Sequence, residues 1–275
     1  MAQLWLAYNG AALETSGGYG ISIEGTPVLP PYTIRLKYTD GTTPTFNYGN
    51  AVQVSTSPNI WDLTYNNTSW GNLLNGHSGL LQVIGANTTG VTRMHGMFGG
   101  CSSLTSVPLF DTSTATFMNS MFHGCNSLIT VPLFDTSSAT NMSGMFNSCS
   151  SITSVPLFDT SSVTNMAAMF VMCTSLTTVP LFDTSRVTDM STMFRSCDSL
   201  ITVPLLDTSS VTNMNVMFNS CANVQSGALA LYQQASTQTN PPAFHTNTFQ
   251  NCGFRTETGR AELAQIPADW GGTMQ

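Results

Sequence analysis

Residues 155–178 read VPLFDTSSVTNMAAMFVMCTSLTT, and this 24-residue pattern recurs without insertion along the middle of the chain. Similar copies begin at Val107, Val131, Val155, Val179 and Val203, and a more divergent copy begins at Val83. Because a unit of this length cannot bury its apolar residues alone, neighbouring units are expected to stack into a solenoid with a continuous core.

Each unit is predicted to contain one short helix and one short strand. The apolar positions with helical spacing are Val163, Met166, Met169, Phe170 and Cys173. Asp159–Ser162 precedes them and is rich in residues that cap helices. Val179–Leu181 favours a short parallel strand, with Val179 and Leu181 on one side of it. Its pairing should end near Pro180, since proline has no N–H group to donate. The predicted fold class is therefore an α/β repeat solenoid.

The repeat resembles the BspA-type leucine-rich repeat of bacterial surface proteins. That repeat has a form close to F-D-T-S-x-V-T-N-M-x-x-M-F-x-x-C-x-S-L-T-x-L, which Phe158–Leu176 matches nearly residue by residue. The resemblance extends over about residues 83–224. It implies a leucine-rich-repeat solenoid in a protein of adhesion and surface recognition, and repeats of this type also occur in phage virion proteins. The chain departs from the family form at Val-Pro-Leu, where members often carry an apolar-polar-apolar strand.

Two regions of different composition flank the repeats. Residues 1–82 are predicted to form a β-rich N-terminal module that covers the first repeat and serves as an attachment region. Its strand-like runs are Ile21–Ile23, Thr33–Tyr38 and Ala51–Ser55, and Asp40–Gly41 is typical of a hairpin turn. The six repeats then occupy residues 83–226.

The C-terminal region, residues 227–275, is predicted to hold a degenerate seventh repeat and a helical cap. Cys252 follows Cys221 by 31 residues rather than 24, which indicates a repeat with an insertion. Ala228–Ala235 and Ala261–Gln265 favour helices.

Charge is unusually sparse in this chain and excludes several classes of partner. Only 8% of the residues are charged, and 7 basic against 14 acidic residues give a net charge of -7. This balance argues against binding to nucleic acid and to anionic lipid surfaces. No apolar run is long enough for a membrane span. The N-terminus has neither the basic nor the apolar region of a signal peptide, so export by the Sec pathway is not expected.

Cysteine and aspartate each recur at one position of the repeat and so form columns along the stack. Either column could suggest a disulfide or metal site, but a structural role explains each of them better. The cysteines are Cys101, Cys125, Cys149, Cys173, Cys197, Cys221 and Cys252. Their regular spacing favours a reduced, buried ladder over disulfides between adjacent repeats or a metal site. The repeated aspartates are Asp111, Asp135, Asp159, Asp183 and Asp207. Each is predicted to cap its own helix or turn, and a calcium-binding ladder is the alternative.

Nothing in the sequence indicates catalysis. The methionine columns beside phenylalanine are typical of a core, and the four histidines occupy different repeat positions. Five equivalent carboxylates cannot divide the roles of acid and base. The chain also lacks a phosphate-binding loop, a G-x-S-x-G motif and a histidine-centred triad. We therefore expect a protein that is not an enzyme and has no catalytic residues, cofactor or metal.

Binding to a ligand should use the positions of the repeat at which the residue differs from one copy to the next. The candidate ligand-contact residues are Asn147, Val171, Arg186, Asp189, Arg195, Asp198 and Asn219. Variable positions that are mostly small and polar suit hydrogen bonds to a host-surface protein or glycan. The N-terminal module is expected to contact other virion or surface proteins, and a homo-oligomer is compatible with the sequence.

The sequence favours a non-enzymatic recognition or adhesion protein at the surface of a phage virion. A tail or head fibre reaches the outside by lysis, so it needs no signal peptide. The alternatives are a bacterial cell-surface adhesin of the leucine-rich-repeat type and a purely structural spacer.

Overall fold

The computed structural model describes residues 29–273 and the backbone of two strands near the N-terminus, β1 (Leu6–Tyr8) and β2 (Ala11–Leu13). These two strands pair antiparallel, with Leu6 opposite Leu13. The predicted strand Ile21–Ile23 lies outside the described residues.

A four-stranded antiparallel sheet precedes the repeats. Its strands are β3 (Thr33–Tyr38), β4 (Asn50–Thr56), β5 (Asn59–Thr64) and β6 (Leu80–Asn87), arranged in the order β4-β5-β3-β6. The central strand β3 buries Ile34, Leu36 and Tyr38 on one face, because alternate residues of a strand point the same way. The strands predicted at Thr33–Tyr38 and Ala51–Ser55 are confirmed. Strands β5 and β6 have no counterpart among the predicted strands.

The turn predicted at Asp40–Gly41 forms, but the hairpin does not. Thr42 N–H donates to the Thr39 carbonyl over 3.1 Å, and Gly41 has a φ of 79°. However, β3 pairs with β5 and β6, whereas β4 pairs only with β5. Strand β4 has no buried residue, so it fits the edge of the sheet rather than a place beside the apolar centre.

The predicted repeat helix is wrong. Within the described residues, the segment 88–227 contains no α-helix and no strand longer than one bridged residue. Each 24-residue unit forms one coil of the solenoid. Every second N–H group of residues 166–172 donates to a carbonyl of the next coil, as Ala168 does to Ser191 over 2.8 Å. The N–H groups between them donate three residues back, as Met169 does to Met166 over 3.2 Å. Ala168 and Met172 both have a φ of 58°, which no α-helix contains. Successive turns therefore produce the helical spacing of the apolar residues.

The predicted strand at Val179–Leu181 is also wrong. Pro180 has no N–H group, and the nearest hydrogen bond to the preceding coil is donated by Thr177 to Thr153 over 3.2 Å. Parallel pairing recurs instead at the position before the first methionine of each coil, as between Asn165 and Asp189. Near the two ends of the stack, single bridges also join Gln82 to Ser106 and Thr202 to Ser226. Each coil thus joins its neighbours through short contacts rather than a continuous sheet.

The coil stack begins one turn earlier than residue 83. Ser69 pairs with Arg93, and Trp70 N–H donates to the Arg93 carbonyl over 2.8 Å. Trp70 and Leu74 are buried at the positions that Met94 and Phe98 occupy in the next coil. The predicted boundary at 82/83 therefore falls inside β6, which belongs both to the sheet and to the first coil.

The C-terminal coil has the predicted insertion. Phe244 pairs with Asn213, and Phe249 stacks on Phe218 with 5.9 Å between ring centroids. Helix α1 (Ala228–Thr237) forms the inserted segment, and α2 (Glu257–Leu263) begins earlier than the predicted Ala261. A 3₁₀ helix, Ala268–Trp270, ends the stack by accepting the Phe249 N–H at the Trp270 carbonyl over 2.8 Å.

A ladder of phenylalanine rings runs through the stack from Phe98 to Phe249. The rings belong to Phe98, Phe122, Phe146, Phe170, Phe194, Phe218 and Phe249. Neighbouring centroids lie 5.0 to 5.9 Å apart, which sets the distance between coils. Both methionine columns are fully buried beside this ladder, so they belong to the core as predicted.

Candidate recognition surface

The cysteine ladder lies in the core and ties coils together. All seven thiols are free and buried. Cys173 donates its S–H to the Phe146 carbonyl in the preceding coil, with 3.1 Å between Sγ and O. Burial raises the pKa of the Cys173 thiol to about 12. These neutral thiols act as small core groups, and among residues 29–273 no three His, Cys, Asp or Glu side chains converge as metal ligands.

The aspartate column lies at the surface, where each carboxylate holds a turn. Asp159 Oδ1 accepts the Ser161 N–H over 3.0 Å and the Ser161 hydroxyl over 2.6 Å. These hydrogen bonds, the hydroxyl first, hold the pKa of Asp159 below its usual value. The capped element is a turn, as one of the two predicted options allowed, and not a helix.

A buried threonine column, which the sequence reasoning missed, joins the coils beneath the aspartates. Thr136 Oγ1 donates to the Asp159 carbonyl of the next coil over 2.7 Å. At the end of the stack, Thr208 lies 3.3 Å from Gln238 Oε1, so the C-terminal cap supplies the missing acceptor. The sequence did contain a signal for this column. Thr follows Asp in every D-T-S segment, so this polar residue repeats as strictly as the core residues do.

Four of the seven predicted contact residues form one row along the solenoid. Asn147, Val171, Arg195 and Asn219 occupy the same position in four successive coils. Arg195 is exposed, and the other three are partly exposed. Asn219 Nδ2 donates to Gln250 Oε1 over 2.7 Å, which extends the row onto the last coil. We call these four residues the variable row.

The other three predicted contact residues lie elsewhere on the coils. Arg186 is exposed on the segment that follows the aspartate turn. Asp189 stands at the bridged position, where Oδ1 accepts the Ser191 N–H over 2.9 Å. Asp198 is partly buried at the end of its coil, three residues after Arg195. Among the described residues no ion pair joins either Arg186 or Arg195 to either Asp189 or Asp198, so these four charged candidates are not an internally paired cluster.

An exposed leucine row was also missed. Its members are Leu109, Leu133, Leu157, Leu181 and Leu205, whose exposed fractions range from 52% to 66%. Val179 is mostly buried while Leu181 points outward, so the prediction that they share one side is wrong. The sequence signal for this row was the segment Leu-Phe-Asp-Thr of most repeats, in which apolar Phe and then Thr alternate with Leu and Asp. Phe and Thr point inward, so Leu and Asp point outward.

Stacked coils with buried Phe, Met, Cys and Thr columns define a repeat solenoid whose side chains vary at several outward positions. A family model described as "Mycoplasma protein of unknown function, DUF285" matches residues 49–154, 72–178 and 129–232. These matches together cover more than half of the chain, which therefore belongs to this family. The family match supports the resemblance to the BspA-like repeat.

A solved structure gives a second likeness. The crystal structure of a Treponema pallidum leucine-rich-repeat protein is 18% identical, covering 71% of this chain and 74% of that chain with a TM-score of 0.43. No curated protein matches the chain. No helix among the described residues is long and apolar enough to cross a membrane.

Proposed function

We propose that this chain is a non-enzymatic recognition or adhesion protein that binds a host-surface protein or glycan. The observation that carries this proposal is the variable row. At this position the side chain changes from Asn to Val to Arg to Asn in successive coils. Meanwhile Phe and Cys on either side are unchanged and buried. A surface that varies on a fixed frame suits recognition.

The dimensions and chemistry of the variable row suit an interface of ordinary size. Coils about 5 Å apart spread four residues over ~15 Å, and with flanking side chains the patch approaches the ~800 Å² that each partner buries in a standard interface. The Arg195 guanidinium offers five donors in a fixed plane. The amides of Asn147 and Asn219 add donors and acceptors, so hydrogen bonding to hydroxyl or carboxylate groups is the expected mode.

The proposed location is the surface of a phage virion, in a tail or head fibre. A net charge of -7 and a surface rich in Ser, Thr and Asn support a role that involves neither nucleic acid nor membrane insertion. The N-terminal sheet ends at the exposed strand β4, where Val52 is 63% exposed, so it could attach the chain to other virion proteins. The alternatives are a bacterial cell-surface adhesin and a structural spacer.

The proposal is tested by binding to a panel of bacterial cells. Arg186→Ser combined with Arg195→Ser should abolish binding to the cells that the parent chain recognises. Arg93→Ser combined with Arg255→Ser removes the same charge outside the proposed contacts and should leave binding intact. Unchanged unfolding midpoints would show that all variants are folded. If binding survives the first pair but is lost in Val52→Lys, the repeats are a spacer and the N-terminal module is the binding part.

The location is tested separately by immunogold electron microscopy. A virion component should be labelled on released particles. Labelling of the bacterial envelope without particles would favour the adhesin.

A further inference from the structure

A stripe of leucine and aspartate side chains runs along one side of the solenoid. It consists of the five exposed leucines and, two residues after each, the five exposed aspartates Asp111, Asp135, Asp159, Asp183 and Asp207. The residue between each pair, such as Phe182 between Leu181 and Asp183, is buried. Leucine and aspartate therefore point outward together, in two parallel rows that we call the Leu/Asp stripe.

The fold does not explain the leucine row. Coil stacking is provided by the buried Phe, Met, Cys and Thr columns, whereas each leucine keeps at least half of its surface in solvent. Soluble monomers seldom expose a contiguous apolar row, and such rows mark interaction surfaces. Five leucines at steps of ~5 Å form an apolar edge about 20 Å long.

The aspartate row adds uncompensated negative charge beside that edge. Hydrogen bonds from the Ser137 and Ser185 hydroxyls hold the pKa of Asp135 and Asp183 below the usual value, so these carboxylates are ionised at neutral pH. The nearest basic residue along the chain is Arg186. Among the described residues it forms no ion pair with Asp183. A partner that covers the leucines must therefore bring its own cations.

The spacing between coils indicates the shape of that partner. An α-helix places a side chain on one face every turn of 5.4 Å, close to the 5.0 to 5.9 Å between neighbouring phenylalanine rings. A β-strand repeats on one face only every ~6.6 Å and would lose register within three coils. A helix of about 15 residues has the length of the whole stripe.

The stripe has a defined end. Leu181, Asp183, Leu205 and Asp207 line a shallow depression of about 320 Å³, and Gln234 of α1 completes its wall. Gln234 Nε2 donates to the Leu206 carbonyl over 2.7 Å, which fixes α1 at this position. The stripe therefore ends in a shallow, open depression beside the cap.

We propose that the Leu/Asp stripe is a docking site for a cationic amphipathic helix of a partner protein. The leucine row takes the apolar face of the helix, and the aspartate row pairs with Lys or Arg on its flank. A second copy of this chain fits less well, because its net charge is -7 and its own stripe has no cations to offer. The stripe uses other coil positions than the variable row, so this proposal does not rest on the proposed function.

The probe for this site is a helical peptide of about 15 residues with one Leu per turn and Lys along one flank. Full-length chain should bind it, and Leu133→Ser combined with Leu157→Ser should weaken binding at least ~10-fold. Asp135→Asn combined with Asp159→Asn should do the same and reduce the salt dependence. Asparagine preserves the turn, since Asn87 Oδ1 accepts the Thr89 N–H over 3.4 Å at the equivalent position.

Two controls separate a built site from general attraction to an acidic protein. Glu257→Gln combined with Asp269→Asn removes the same charge outside the stripe and should leave peptide binding unchanged. A peptide with Glu in place of Lys should not bind. Equal loss in all three double variants would overturn the proposal. So would a chain that dimerises through the stripe, detected by sedimentation as a dimer that Leu133→Ser with Leu157→Ser dissociates.

Discussion

The Sγ atom of Cys149 lies 3.1 Å from the backbone carbonyl oxygen of Phe122, one coil earlier. The same oxygen accepts the N–H group of Cys125 over 3.0 Å, within its own coil. One carbonyl therefore serves two coils, and the thiol donates to the second lone pair of an oxygen that already accepts a backbone N–H. The cysteine column is explained by this geometry.

Buried thiols should resist chemical modification in the folded protein. Seven thiols are expected to react with a thiol reagent after denaturation, and almost none beforehand, because all seven are buried. The measurement is the number of labels per chain by mass spectrometry, with and without denaturant. Labelling of most thiols in the folded chain would mean that the ladder is not part of the core.

Stability should fall at alkaline pH because of the same thiols. Burial raises the pKa of Cys101, Cys173 and Cys221 to about 12, whereas an unfolded cysteine titrates near ~8.5. Above pH ~8.5 the unfolded state loses thiol protons that the folded state keeps, so the free energy of unfolding decreases with rising pH. The stabilisation is complete below that pH and is lost as the pH rises toward 12.

This pH dependence can be measured from urea unfolding at successive pH values. Each ionising thiol should contribute a slope of about 1.4 kcal/mol per pH unit. Cys173→Ala combined with Cys221→Ala should reduce the slope by about twice the contribution of a single thiol. A slope unchanged in this variant would show that other groups cause the alkaline loss.

The turns require a left-handed backbone at two fixed positions in every coil, and Gly144 occupies the first of them in its coil. Gly144 has a φ of 61°, and Val216, three coils later, has a φ of 62°. Gly144→Val should lower the free energy of unfolding by about 1–2 kcal/mol, because a side chain disfavours this region and a β-branched one most. Gly144→Asn should cost less, since Asn tolerates this conformation and Asn247 has it at φ 58°. Equal losses in the two variants would contradict this explanation.

The sequence predicted the features that repeat with the period. The coil stack, the Phe, Met and Cys columns and the inserted last coil all follow from residues spaced 24 apart, such as Cys149 and Cys173. A continuous core is the only way for such short units to bury these side chains. Helix α1 also follows from its local apolar pattern.

The sequence did not predict how each coil closes. Spacings such as those of Val163, Met166 and Met169 arise equally from a helix and from successive turns. The two differ in whether an N–H group finds its acceptor in its own unit, as in a helix, or in the next one. The Ala168 N–H group donates to the Ser191 carbonyl in the next unit. A hydrogen bond between units cannot be inferred from the residue pattern within one unit. The first coil was hidden because Trp70 and His77 replace the usual Met and Cys.

Recognition through the variable row can be tested by site-specific photo-crosslinking to intact cells. A photoreactive residue is placed at Val171 in the row, at Thr164 elsewhere on the same coil, or at Val52 on strand β4. All three sites are at least partly exposed. Crosslinks to a cell-surface protein or glycan are expected from position 171 and not from positions 164 and 52. Crosslinks from position 52 or 164 without any from 171 would contradict it.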